Sequence, residues 1–85
     1  MPYIKEDGRL ELEHIVKEFY SYHLDHGDVN YLITQLCLST QPVNYADYNA
    51  LVGSLECAKL EFYRRAVAAY EDEKIKENGD VYDNR

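Results

Sequence analysis

The 85-residue sequence predicts an all-α fold: two short helices packed on one long C-terminal helix, straight or kinked, assembled as a homo-oligomer. Two observations lead there. Apolar residues recur at steps of three and four in three separate stretches, lining one face of each, and no strand signal competes with them. The breaks between the stretches are polar and carry the residue types that start and stop helices. Composition sets the scale: 46% hydrophobic and 29% charged residues describe a globular chain, near the small end of what folds without disulfides or metals. The expected division is a helical domain over residues 1–78 and a C-terminal tail over 79–85.

The first helix is expected from about Arg9 to Leu24. Leu12, Ile15, Val16, Phe19 and Tyr20 line one face, and Glu11, Glu13, Lys17 and Glu18 the other. Glu6, Asp7 and Gly8 suit a preceding turn or cap. His26, Gly27 and Asp28 then separate two helices, with Gly27 closing the first and Asp28 capping the second. That second helix, roughly Val29 to Ser39, presents Val29, Leu32, Ile33 and Leu36. Ser39-Thr40-Gln41-Pro42 reads as a connecting loop.

Asn44 caps the third helix, and Asp47 three residues on resembles the return half of a capping box. Helical character runs from Tyr45 to about Glu77, and Asn78-Gly79 supplies the stop. The apolar face holds Tyr48, Leu51, Val52, Leu55, Ala58, Phe62, Tyr63, Ala66, Val67 and Tyr70. Gly53 interrupts this helix at a cost of about 1 kcal/mol relative to alanine, which predicts close packing against another helix. At 1.5 Å per residue the three helices span roughly 24, 17 and 50 Å. The short pair covers about half of the long one, so a second subunit is expected on the remainder.

Sixteen acids against nine bases give a net charge of −7, which disfavours duplex nucleic acid, whose binding rests on neutralising phosphates. No apolar stretch is long enough for a bilayer, and the N-terminus lacks the basic-then-apolar order of a signal peptide, so a cytoplasmic protein is expected. Cys37 and Cys57 fall in apolar segments and read as reduced core thiols.

Lys59, Arg64 and Arg65 form the one basic concentration, beside Phe62, Tyr63 and Tyr70. Three readings stand together. Guanidinium and tyrosine ring can hold the phosphate and base of a nucleotide-like ligand; the same pair serves protein interfaces; and Glu61 before Arg65, with Glu56 before Lys59, allows plain salt bridges. The candidate ligand set is Lys59, Tyr63, Arg64 and Arg65, with Asn30 and Tyr31 from the second helix. Nine tyrosines and no tryptophan favour a binding surface over an active site, because tyrosine offers large contact area at low entropic cost.

Other constellations are weaker. His23, His26 and Asp28 have the spacing of metal ligands, but no further cysteine or histidine cluster completes a shell, and no metal or cofactor is expected. Glu77-Asn78-Gly79-Asp80 matches half of the carboxylate pattern of magnesium-dependent nucleotide pyrophosphatases, without its Glu-x-x-Glu partner. Cys37, Cys57, Ser39 and Ser54 lack the context of nucleophiles.

Several phrases carry a resemblance: Met1-Pro2-Tyr3-Ile4, Gly27-Asp28-Val29-Asn30-Tyr31, Leu55 through Arg65, Tyr70-Glu71-Asp72-Glu73-Lys74, and Glu77 through Tyr82. Together they resemble a family of short uncharacterised proteins from bacteria, archaea and their phages, known as a domain of unknown function. The resemblance brings no activity and no catalytic residue. Where the family pattern has a proline before Tyr-Glu-Asp, this chain has Ala69; proline there kinks a helix, so the resemblance implies an angled segment from Tyr70 onward.

The function expected is non-enzymatic association through tyrosine-rich helical faces, as a homo-oligomer. The alternative is sequestration of a nucleotide-like ligand, which in a phage setting would act against host defence; a magnesium pyrophosphatase stands third. In the tail, Val81 and Tyr82 read either as anchors that dock on the same or a neighbouring subunit or as part of a frayed end.

Overall fold

A computed structural model of the chain describes residues 4–82. It is all-α, with no strand among the described residues. The chain divides into two compact units, residues 1–40 and 41–85; Met1, Pro2 and Tyr3 of the opening phrase, and Asp83 to Arg85 of the tail, lie outside the described residues.

The first unit holds α1 (Glu6–Tyr20) and α2 (His26–Ser39). Helix α1 begins earlier and ends earlier than its apolar period suggests. Glu6 and Asp7 occupy its first turn, where carboxylates meet the positive end of the helix dipole, and Gly8 sits inside the helix. At the other end the Ser21 hydroxyl donates to the Glu18 carbonyl at 2.6 Å, satisfying one of the orphan acceptors.

The start of α2 corrects the expected roles of Gly27 and Asp28. Asp25 is the cap: its Oδ1 accepts from the Asp28 amide at 2.8 Å, and Asp28 Oδ2 accepts from the Asp25 amide at 3.0 Å. That reciprocal pair satisfies two amides at once and places Gly27 in the first helical turn. After the C-cap Thr40, Gln41 adopts φ 56°, the left-handed turn conformation that usually falls to glycine, and Pro42 prevents the helix from resuming.

The second unit is one uninterrupted helical run of 34 residues: α3 (Tyr45–Phe62), a π-helical turn (Tyr63–Val67) and α4 (Ala68–Asn78). Asn44 caps it, accepting from the Asp47 amide at 2.9 Å. Asp47 returns its carboxylate to the Val43 amide at 3.1 Å, one residue outside the expected box. In the π turn the Ala68 amide donates to the Tyr63 carbonyl five residues back. The irregularity therefore falls before Tyr70, without any proline. Gly79 ends the run with φ 84° and ψ 155°, a backbone region that only glycine enters readily.

Among the described residues no side chain is buried. Tyr48, Tyr63 and Tyr70, expected in a core, are exposed, as is most of each helix's apolar face. Cys57 is exposed and Cys37 half-buried, both as free thiols, which corrects the reading of both as core residues. Within the second unit, a Cβ added at Gly53 would meet nothing within 4 Å. Val81 and Tyr82 are 92% and 80% exposed, so they are not anchored on the helices of their own chain.

Candidate functional site

The densest chemistry of the second unit surrounds the π turn. Lys59 lies on α3; Tyr63, Arg64 and Arg65 belong to the turn itself. Glu61 stands between the two arginines: Arg64 Nη2 donates to its Oε1 at 3.0 Å and Arg65 Nη1 to the same oxygen at 3.4 Å. The spacing explains the fork. Residues three and four positions after Glu61 lie about 60° to one side of it and about 40° to the other, so both guanidinium groups converge. The Arg64 hydrogen bond, with smaller contributions from the Arg64 charge and from Arg65, holds the Glu61 carboxyl below its ordinary pKa, partly against desolvation.

Lys59 does not join them. It pairs with Glu56 at 3.0 Å and lies more than about 100° around the axis from either arginine. The basic concentration of the sequence is thus a run along the chain and not one patch in space. The structure joins Arg64 and Arg65 and separates Lys59. Asn30 and Tyr31 belong to α2 in the other unit, where the Asn30 carbonyl accepts from the Thr34 hydroxyl at 3.1 Å and Tyr31 is exposed.

Tyr63 donates its hydroxyl to Glu71 Oε1 at 2.7 Å, across eight residues. In a regular α-helix that separation leaves two residues about 80° apart. One extra residue in a π turn makes eight steps count as seven, which places them within about 20° of one another. The bond and the negative charge of Glu71 push the Tyr63 phenol above its ordinary pKa. Glu71 was missed in the sequence because nothing short of the π turn aligns it with Tyr63.

These interactions cover the helix from Glu56 to Glu71. A family model matches residues 1–81 of the chain. The chain belongs to the family described as Domain of unknown function (DUF6899). No curated protein and no solved structure matches it. Family membership assigns no chemistry.

The remaining candidates are occupied locally. Asp25 and Asp28 hold each other's backbone amides, and no group of three metal-ligating side chains converges among the described residues. Glu77 pairs with Lys74 at 3.4 Å, while Asp80 lies past the helix stop and accepts from the Tyr82 amide at 2.9 Å. Glu77 and Asp80 therefore do not share the helix face that a Glu-x-x-Asp metal pair requires. Among the described residues no helix is long and apolar enough to cross a membrane.

Proposed function

We propose that this protein is a non-enzymatic association module that works as a homo-oligomer in the cytoplasm, its helical faces pairing with a second copy of the chain. One observation supports this above the others: the apolar faces are open. In the second unit, a single helical run, Tyr48, Leu55, Phe62 and Tyr70 are 56%, 40%, 67% and 62% exposed. Helix lengths bear on what can cover that face. At 15 and 14 residues α1 and α2 reach about 22 and 21 Å, against about 50 Å for the long helix.

Sequestration of a nucleotide-like ligand by Lys59, Tyr63, Arg64 and Arg65 has less support, because each of these polar ends already meets a carboxylate of its own helix. Size exclusion coupled to light scattering tests the proposal. The expected result at micromolar concentration is a particle at least twice 10.0 kDa. A single monomeric species would overturn it.

A further inference from the structure

The long helix carries a heptad stripe that would break at its middle without the π turn. Tyr48, Leu51, Leu55, Ala58 and Phe62 follow the alternating steps of three and four that form a coiled-coil seam. Continued through a regular α-helix, that seam would next take Arg65 and Ala69. An arginine already held by Glu61 is a poor seam residue. The π turn inserts one residue between Phe62 and Ala68, which advances the register by one. The seam then takes Ala66 and Tyr70 instead, both apolar. Tyr70 falls within about 20° of Phe62, where a regular helix would leave it about 80° away. The Tyr63–Glu71 hydrogen bond crosses the same turn over an equal separation of eight and fits the same shift.

From these observations we infer that the π turn is a register device: it keeps the stripe of Tyr48, Leu55, Phe62 and Tyr70 continuous so that a second copy of this helix can lie along it. The inference rests on the association proposed above and names its surface. These four side chains are between 40% and 67% exposed. The stripe runs about 33 Å from Tyr48 to Tyr70, longer than either α1 or α2, so another copy of the same helix is the one element of the chain that matches its length. The second unit is a single helical run and holds no partner for the stripe within itself. Beyond Tyr70 the stripe reaches Lys74, whose ammonium stands 5.5 Å from the centre of the Tyr70 ring, and then Glu77. The seam closes with charge at its C-terminal end.

Two neighbouring substitutions separate the registers. Tyr70→Glu places a charge in the seam under the shifted register, and Ala69→Glu places the same charge about 100° away. Both positions are exposed on a helix, so circular dichroism should show unchanged helicity for each. In sedimentation equilibrium, Tyr70→Glu is expected to weaken self-association by at least about tenfold, as removal of a central aromatic anchor does, and Ala69→Glu to leave it unchanged. Dissociation by Ala69→Glu alone would show the unshifted register and overturn the inference. Equal association of both variants with the parent chain would place the seam elsewhere and also overturn it. A monomeric parent chain is a different failure, that of the association proposal itself.

Discussion

Gly53 offers the sharpest test of which face of the long helix is free. It sits in the interior of α3, and a Cβ built on it has no neighbour within 4 Å. It lies nine residues before Phe62, which is about 180° around the axis and so opposite the stripe. Gly53→Ala therefore removes the backbone entropy penalty without creating a clash. The gain is about 1 kcal/mol per chain, the difference in helix propensity between the two residues. For a domain of this size that corresponds to a rise of about 4–8 °C in melting temperature. Thermal circular dichroism at fixed protein concentration reads the shift, since the melt of an oligomer depends on concentration. Light scattering on the same samples should give an unchanged mass. A lower melting temperature, or a loss of association, would mean that another helix approaches Gly53 closely. That result would refute the opposite-face assignment, and the stripe would have to be redrawn.

Two further outcomes follow from the second unit. Tyr63 donates to Glu71 and holds its proton above the ordinary phenol range, so its contribution is complete below the unfolded pKa of about 10 and is lost as pH rises through the higher folded value. Tyr63→Phe should remove the most basic component from the tyrosinate absorbance titration; a titration curve that keeps this component would assign it to another tyrosine. Glu61 behaves oppositely, contributing above its unfolded pKa of about 4.3 and losing that contribution as acid titrates the lower folded value. For the tail, a chain ending at Asn78 should melt at the temperature of the full chain, because Val81 and Tyr82 touch little. A lower melting temperature would show that they dock after all.

The helix class, the stop at Gly79 and the cap at Asn44 were legible in the sequence, because each rests on hydrogen bonds or periodicity confined to a few neighbouring residues. The salt bridges of Glu61 and Glu56 were legible as one of three readings for the same reason, being spaced at three and four. Boundaries were less so. Asp25 and Asp28 are both good caps, and the reciprocal bond between them starts the helix after Asp25. The π turn was hidden more deeply. A pattern of threes and fours absorbs one inserted residue without an obvious break, and the step of eight from Phe62 to Tyr70 is its single trace in the sequence. Only the three-dimensional structure decides that Tyr63 meets Glu71, that Lys59 turns away from Arg64 and Arg65, and that no described side chain is buried. Composition and period say which residues avoid water. Whether they are hidden depends on what lies beside each helix, and the single helix of the second unit leaves its stripe open.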